Sequence, residues 1–225
     1  MSNTPKEIWE MSKSIDGNLE LQLGPYTSRH LINDPKHFGF FLSRYKFAGK
    51  MLGEAKNKKV LEVGCGEGIG TLILSQFAKT VTGIDFDEKA IKWASENLQK
   101  QNLSFITKNI FNDSDNDEKF DAIISLDVIE HIEQNTEDEF VNSFAKKLND
   151  NGFCIIGTPN ITSSEYASPA SKAAHINMYS FSRLNNLMQK YFKNTFCFGM
   201  NDEVLHTGFH PMCHYIIIIG CNPRG

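Results

Sequence analysis

Residues 60–68 of the chain read V-L-E-V-G-C-G-E-G. The aliphatic first half is typical of a buried β-strand, and three glycines then follow at alternate positions. Glycine permits a tight turn and lets a ligand approach the backbone closely, and the start of a following helix offers free N–H groups. The stretch therefore predicts a strand, a ligand-binding turn and a helix in direct succession.

The glycine spacing separates this turn from two common nucleotide-binding motifs. A dinucleotide fingerprint requires G-x-G-x-x-G, but Ile69 occupies its third glycine position when the motif starts at Gly64, and Thr71 does so when it starts at Gly66. A P-loop also fails, because no G-K-[ST] follows. NAD is therefore a disfavoured cofactor, and a Rossmann-type oxidoreductase is the weakest function that we consider.

Strand-like and helix-like segments alternate outward from this turn. Such alternation is typical of an α/β fold, in which helices cover both faces of a mostly parallel sheet. Three helix starts are marked by capping residues, namely Asp87, Ser180 and the capping-box pair Thr136 and Glu139. Ligands of these sheets bind at the carboxyl ends of the strands. The seven predicted strands are residues 59–63, 81–85, 103–107, 120–126, 152–157, 195–200 and 212–219.

The length of the chain limits its domain organisation. A chain of 225 residues suits one main domain with a sizeable core. We expect a loosely attached N-terminal arm at residues 1–25 and a single domain at residues 26–225. Residues 159–179 lack a clear period, and an irregular insertion at this place after the fifth strand would cover a substrate site.

Composition argues against several classes of partner. The formal net charge of −4 does not suit a protein that tracks a polyanionic backbone. The N-terminus lacks an apolar signal core, and the longest aliphatic run, 216–219, is far too short to span a bilayer. Five scattered cysteines argue against a disulfide framework. We therefore expect a cytoplasmic protein without a nucleic-acid or membrane partner, and nothing in the sequence indicates its oligomeric state.

An acidic residue ends the second predicted strand, about twenty residues after the glycine turn. Asp85 at this distance can accept hydrogen bonds from both hydroxyls of a ribose. Asp87 is better placed than Asp85 to cap the next helix, which leaves Asp85 for a ligand. Phe86 follows and offers a flat apolar surface for an adenine ring. Turn, carboxylate and ring together predict a nucleoside-containing ligand.

Three runs in combination carry a family resemblance. V-L-E-V-G-C-G-E-G at 60–68, G-I-D-F-D at 83–87 and F-D-A-I-I-S-L-D-V-I-E-H-I at 120–132 resemble the class I S-adenosylmethionine (SAM)-dependent methyltransferases over roughly residues 44–160. The resemblance implies a Rossmann-like fold, SAM as the cofactor and methyl transfer by the domain at 26–225. It implies cofactor contacts for Arg44, Glu62, Gly64, Gly66, Gly68, Asp85, Phe86, Asn109, Ile110 and Asp127.

Within the implied set, each group of residues has its own part of SAM. The glycine loop lies beside the methionine portion, which Asp127 also approaches. Glu62 is tied to the methionine amino group, and Arg44 lies near the carboxylate. Asn109 and Ile110 stand where the family often has an acidic residue that reads the adenine amino group, and an asparagine carbonyl can still accept from it.

The residues after the fourth strand indicate the kind of acceptor. Methyltransferases that act on nucleobase amino groups resemble one another in a [DN]-P-P-[YF] motif that stacks a flipped base. Residues 127–130 are D-V-I-E instead, with neither proline nor an aromatic residue. This form resembles the branch of the family that methylates small molecules.

Methyl transfer to a hydroxyl or an ammonium group also requires a base, because the nucleophile must lose a proton. Histidine is suited to this, with an unperturbed pKa near 6.5. We consider His131, His175 and His210 as candidates, and expect His30 and His37 to be structural. No metal is expected, because H-E-x-x-H is absent and the histidines near 206–214 need not converge. Predicted substrate contacts are Tyr166, Lys172, Asn177 and His206.

The function that the sequence favours is transfer of the SAM methyl group to O or N of a small polar metabolite. Candidates are nucleotide-activated sugars, surface-glycan precursors, phosphate-like groups and quinone precursors. A different class of function is also open, namely a non-catalytic SAM-binding module that regulates a partner. SAM binding without turnover would distinguish that module from an enzyme.

Overall fold

The computed structural model describes residues 3–16, 20–112 and 118–224. A single eight-stranded sheet has the order β3-β2-β1-β4-β5-β8-β6-β7. Its first five strands are parallel, so their carboxyl ends lie at one edge. The strands are β1 (Lys59–Val63), β2 (Thr80–Asp85), β3 (Leu103–Thr107), β4 (Phe120–Leu126), β5 (Leu148–Pro159), β6 (Phe192–Asn201), β7 (Val204–His206) and β8 (Tyr215–Pro223).

The sheet confirms the mostly parallel α/β fold but corrects the predicted seven strands to eight. β8 is antiparallel to both β5 and β6. The additional strand is β7, which has only three residues and pairs with β6 at the sheet edge. Such a short strand shows no alternation of polar and apolar residues that could be read from the sequence.

Eight helices lie within the described residues, and apolar clusters pack on both faces of the sheet. β1, β4, β5 and β8 supply residues to both clusters, which explains their near-continuous apolar sequences. The helices are α1 (Pro5–Asp16), α2 (Pro25–Asn33), α3 (Pro35–Met51), α4 (Ile69–Leu74), α5 (Glu88–Asn97), α6 (Glu137–Lys147), α7 (Pro169–Ala174) and α8 (Phe181–Tyr191).

Two of the three predicted caps are present. The Asp87 side chain accepts from the N–H groups of Lys89 and Ala90 at the start of α5. The Ser180 hydroxyl accepts from the N–H of Arg183 at the start of α8. The capping box at α6 was wrong, because the Thr136 side chain makes no cap hydrogen bond there.

The predicted N-terminal arm at residues 1–25 contains α1, and α2 begins at Pro25. Residues 1–2 and 17–19 of the arm lie outside the described ranges. The insertion at 159–179 contains a 3-10 segment (Ile161–Tyr166) and the short α7. No helix among the described residues is long and apolar enough to cross a membrane.

Candidate active site

The glycine turn after β1 has the left-handed geometry that its sequence predicts. Gly64, Gly66 and Gly68 have φ of 80°, 51° and 75°. A Cβ at Gly64 would lie 2.3 Å from Cγ2 of Val128, whereas a Cβ at Gly66 would meet no atom within 4 Å. Gly64 therefore lets the turn pack against the chain after β4, and Gly66 leaves open space beside the backbone for a ligand.

Asp85 ties the end of β2 to this turn. Its Oδ2 accepts from the N–H of Gly66 at 2.8 Å, and its Oδ1 accepts from the N–H of Asp87 at 2.9 Å. A carboxylate has about four lone-pair sites, so each oxygen can accept one more hydrogen bond. This geometry fits a ribose diol, and the neighbouring Phe86, which is 79% exposed, leaves a ring face free.

The residues after β3 offer less to an adenine ring than their position implies. Oδ1 of Asn109 already accepts from the N–H of Phe111 at 3.1 Å, which leaves one lone pair for an amino group. Ile110 is buried in the apolar core on one side of the sheet. Ile110 therefore anchors this segment in the apolar core. Asn109 is the residue of the two whose side chain can hydrogen-bond to the adenine amino group.

Glu62 is a buried carboxylate on β1 that lacks a partner. Neither of its side-chain oxygens has a hydrogen bond to any residue in the described part of the chain. Burial raises its pKa to about 7; the Thr71 and Tyr45 hydroxyls counteract part of this rise, although neither has good hydrogen-bond geometry. A buried unpaired carboxylate is costly, and a cationic ligand group would relieve that cost.

Arg44 on α3 and Asp127 after β4 form an ion pair. Nη1 of Arg44 lies 2.9 Å from both carboxylate oxygens of Asp127, and the guanidinium lies 3.8 Å from the ring centroid of Tyr215. Asp127 adopts φ of 59°, which is uncommon for a residue with a Cβ. Two residues that the sequence assigned separately to the methionine portion of the cofactor therefore neutralise each other.

Glu130, His131 and His175 meet at the same edge of the sheet. Each of them offers one ligand atom, and these atoms lie within 4.8 Å of one another. Oε2 of Glu130 accepts from the Thr158 hydroxyl at 2.9 Å, whereas Oε1 has no partner among the residues that the structure describes. Burial, followed by the charge of Asp127, raises the pKa of Glu130 to about 8. Sequence analysis missed Glu130.

The two imidazoles of this cluster are oriented for proton transfer or for metal binding. Nδ1 of His131 lies 3.0 Å from the Ala174 carbonyl oxygen; a carbonyl only accepts, so Nδ1 carries the proton and Nε2 keeps a lone pair. The His131 and His175 ring centroids are 5.0 Å apart. Desolvation, followed by the neighbouring His131, lowers the pKa of His175. A carboxylate with two imidazoles is also a donor set for a divalent cation, so the expectation of no metal stays a prediction.

The third candidate base, His210, has contacts of its own. The His210 ring stacks on Phe181 with centroids 3.4 Å apart, and desolvation, followed by the neighbouring His206, lowers the pKa of His210. Nδ1 of His206 accepts from the N–H of Gly208 at 3.1 Å. His210 and His206 therefore form a separate pair beside the β6–β7 hairpin, and no described contact joins them to Asp127.

The insertion at residues 159–179 contains three predicted substrate contacts, and their side chains have other surroundings than the Glu130–His131–His175 cluster. Tyr166 is exposed, and Nζ of Lys172 bonds the Glu165 carbonyl oxygen at 2.9 Å. The role of Asn177 requires correction, because this residue is buried and its amide nitrogen donates to Glu137 at 2.9 Å and to the Tyr179 hydroxyl at 2.8 Å. Asn177 fixes the insertion to α6, which is a structural contact.

Sequence analysis also missed residues that the N-terminal helices bring to the site. The carboxylate of Glu67, within the glycine turn, accepts from the N–H groups of Tyr26 and Thr27 at 2.9 and 2.8 Å. The pKa of His37 is lowered by desolvation and by the charge of Arg44, while Asp127 opposes this. His37 therefore faces the Arg44–Asp127 pair, although the sequence indicated only a structural residue.

Taken together, these groups fit SAM. The unpaired carboxylate of Glu62 suits an ammonium group, Gly66 leaves room at the backbone, and Asp85 retains lone pairs for a diol. A nucleoside joined to a charged amino acid has these three features. The fold and the site thus define a SAM-binding domain of the Rossmann-like class.

Comparison with known proteins gives the family. Residues 37–191 match the family model described as Methyltransferase domain. This match covers more than half of the chain, so the chain belongs to that family and is a SAM-dependent methyltransferase. The "Ubiquinone biosynthesis O-methyltransferase" of Rickettsia bellii is 29% identical over 170 residues, which cover 74% of this chain and 67% of that protein.

A second relative agrees with this assignment, and a solved structure shares the fold. The mitochondrial "Ubiquinone biosynthesis O-methyltransferase" of Arabidopsis thaliana is 30% identical over 161 residues, which cover 68% of this chain but only 49% of that protein. The N-methyltransferase NodS from Bradyrhizobium japonicum WM9, solved with S-adenosyl-L-homocysteine (SAH), superposes with a TM-score of 0.64 at 19% identity. The superposition covers 88% of this chain and 97% of NodS, and at this identity it shows a shared fold alone.

Proposed function

We propose that the protein transfers the SAM methyl group to a hydroxyl oxygen on the ring of a small aromatic molecule. The observation that carries this proposal is the Glu130–His131–His175 cluster, since an O–H nucleophile must lose its proton. The names of the Rickettsia and Arabidopsis relatives specify O-methylation in ubiquinone biosynthesis, which supports oxygen as the accepting atom. A quinone precursor is the one of the four acceptor classes that this favours.

The residues would divide the chemistry as follows. When bound, SAM supplies an electrophilic methyl group that leaves its sulfur as the acceptor oxygen bonds to it. Asp85 and Glu62 would hold the two ends of the cofactor. His175, kept neutral at pH 7 by its lowered pKa, would take the hydroxyl proton. The Glu130 carboxyl, with its pKa raised to about 8, is mostly protonated at pH 7 and would donate a hydrogen bond beside that imidazole.

The pKa values of a phenol and an imidazole show how unfavourable the proton transfer would be. A phenol ionises near pH 10 and an imidazole near 6.5, so full proton transfer is uphill by roughly 5 kcal/mol. The site must therefore stabilise the developing phenolate. A divalent cation at Glu130, His131 and His175 is a second way to do this, and the unpaired Oε1 of Glu130 favours it.

We further propose that the domain at residues 26–225 acts in the cytoplasm on a free small molecule, without nucleic acid or a membrane as a partner. The net charge of −4 supports this part of the proposal, because a polyanion would be repelled.

The proposed acceptor class is tested with labelled SAM and a panel of small molecules. We expect methyl transfer to one ring oxygen of 3,4-dihydroxybenzoate, because its hydroxyls can reach the half-buried base His175. UDP-glucose and phosphoethanolamine are the matched probes for the sugar and phosphate alternatives. Transfer to either of these but not to the catechol would contradict the proposal.

Replacement of His175 with alanine is expected to lower kcat at least 100-fold, which is the usual minimum for a general acid–base group. SAM affinity, measured by calorimetry, should stay within about 2-fold, since no cofactor contact is expected there. His214→Ala is the control: this side chain is 65% exposed and lies 4.0 Å from Asp202.

The same assay in the presence of a chelator decides between base and metal ligand. If EDTA removes turnover from the wild type and Mg²⁺ or Mn²⁺ restores it, His175 acts as a ligand. If the chelator has no effect, His175 acts as the base. Wild-type kcat in His175→Ala would overturn both roles.

A further inference from the structure

The glycine turn binds a helix as well as providing a site for the cofactor. Glu67 lies between Gly66 and Gly68 and is only 6% exposed. Its two oxygens accept from consecutive N–H groups at the first turn of α2, those of Tyr26 and Thr27. Hydrogen bonds to a carboxylate are about twice as strong as neutral ones. α2 is thereby joined to the cofactor turn.

The approach of α2 to this carboxylate is close enough to depend on glycine. A Cβ at Gly24, which precedes α2, would lie 2.3 Å from Cδ of Glu67. Any larger residue in place of Gly24 would therefore displace the Glu67 side chain. Gly24 and Glu67 thus match each other in size although they lie far apart in the sequence.

The contact fixes where the Tyr26 side chain lies. Its main-chain N–H is bonded to Glu67, and its ring lies 4.5 Å from that of His30. The Glu67 turn in turn touches the chain after β4, since Gly64 leaves room there only for Val128. Tyr26 is thus placed beside the cofactor turn. The His30 ring in turn lies 6.4 Å from that of His37 on α3, the helix that carries Arg44.

Electrostatics agree with this placement. The Tyr26 hydroxyl has a raised pKa, first through desolvation and then through the charges of Asp127, Glu67 and Glu130, while Arg29 opposes the rise. The side chain is nonetheless 57% exposed, so open space remains beside the ring, which also contacts His30 and, at 5.4 Å, the Arg29 guanidinium. The hydroxyl therefore stays protonated and can donate a hydrogen bond to a molecule in that space.

We propose that Tyr26 is an acceptor-positioning residue, carried to the active site on α2 and held there by Glu67. Its ring would form a wall for a small flat acceptor, and its hydroxyl would donate to an acceptor oxygen. The identity of that acceptor rests on the proposed function, whereas the placement of Tyr26 does not.

The first measurement needs no acceptor. In the full chain with ¹³C-labelled tyrosine, the Tyr26 ring signals are identified by their loss in Tyr26→Phe. We expect SAH to shift these signals in the wild type, and the shift to be lost in Glu67→Gln. Hydrogen exchange of the Tyr26 and Thr27 amides should become about 10-fold faster in Glu67→Gln. The matched control is Glu7→Gln, since Glu7 accepts from the Thr4 N–H in the same way at α1.

The second measurement uses 3,4-dihydroxybenzoate as the acceptor. Tyr26→Phe is expected to raise KM for this probe about 10-fold, and Tyr26→Ala more, while kcat and the SAH dissociation constant change less than about 2-fold. An unchanged KM in both variants overturns the proposal, as does a Tyr26 signal that does not respond to SAH. If the wild type does not methylate the catechol, the proposed function fails and the SAH response alone decides on Tyr26.

Discussion

Replacement of Asp85 with alanine is expected to weaken SAM binding more than 100-fold, measured by calorimetry. Two charge-assisted hydrogen bonds to the ribose would be lost, each contributing about 1.5–3 kcal/mol. The structure adds a second cause, because Asp85 also accepts from the N–H groups of Gly66 and Asp87. Without the carboxylate, the glycine turn loses the contact that fixes its backbone beside the cofactor.

Asp87→Ala is the matched control for Asp85→Ala. Asp87 lies two positions further on and caps α5 through the N–H groups of Lys89 and Ala90. Its loss should reduce the free energy of unfolding by about 1 kcal/mol, yet SAM affinity should change less than about 3-fold because its main-chain contact to Asp85 persists. Equal affinities for SAM in Asp85→Ala and the wild type would exclude Asp85 as the ribose ligand.

The parts of the site that the sequence predicts are those formed by neighbouring residues. A glycine turn, the carboxylate that ends β2 and the cap at Asp87 each depend on a few consecutive positions, whose backbone geometry follows from residue type. All three are present where the sequence placed them. Parallel strands with helices between them bring these positions to one edge of the sheet.

Contacts between distant parts of the chain could not be predicted in the same way. Arg44 and Asp127 are 83 positions apart, and the sequence assigned each of them separately to the cofactor. Their ion pair arises because α3 packs beside the end of β4, which no local pattern indicates. The sequence likewise indicates only a polar turn residue at Glu67, because the contact of its carboxylate with the first turn of α2 depends on the fold.

The catalytic region shows a third kind of limit. Residue type made His131, His175 and His210 equal candidates for the base. The structure distinguishes them, because the rings of His131 and His175 contact each other whereas that of His210 stacks on Phe181. Glu130 was overlooked because a glutamate after a strand is ordinarily solvated. Its burial, which follows from the fold around it, makes it a candidate hydrogen-bond donor or metal ligand.

Glu62→Gln has the second large expected effect, and this effect depends on pH. We expect the variant to bind SAM about 100-fold more weakly than the wild type at pH 8, because a buried ion pair with the methionine ammonium group would be lost. In the wild type the pKa of Glu62 is about 7 without ligand, and an ammonium partner would lower it. Between pH 5.5 and 7, SAM binding should therefore release up to one proton and tighten as the pH rises.

Calorimetry in two buffers of different ionisation enthalpy measures that proton. Release by the wild type at pH 6, and none by Glu62→Gln, is the expected result; equal release by both proteins would place the ammonium group elsewhere. Glu62→Asp tests distance, since it keeps the charge but shortens the side chain.

The free energy of unfolding of the ligand-free protein should fall as the pH rises, whereas SAM binding should tighten. The folded-state pKa of Glu62, about 7, lies above the unfolded value of 4.5. The native state thus binds more protons than the unfolded state between these values, and this carboxylate reduces the free energy of unfolding as the pH rises from 4.5 to 7. Above pH 7, Glu62→Gln should be more stable than the wild type by up to roughly 3 kcal/mol. Thermal melts at pH 5 and pH 8 without SAM measure this difference, and a variant that loses both stability and SAM affinity at pH 8 would show that Glu62 supports the fold and not the cofactor.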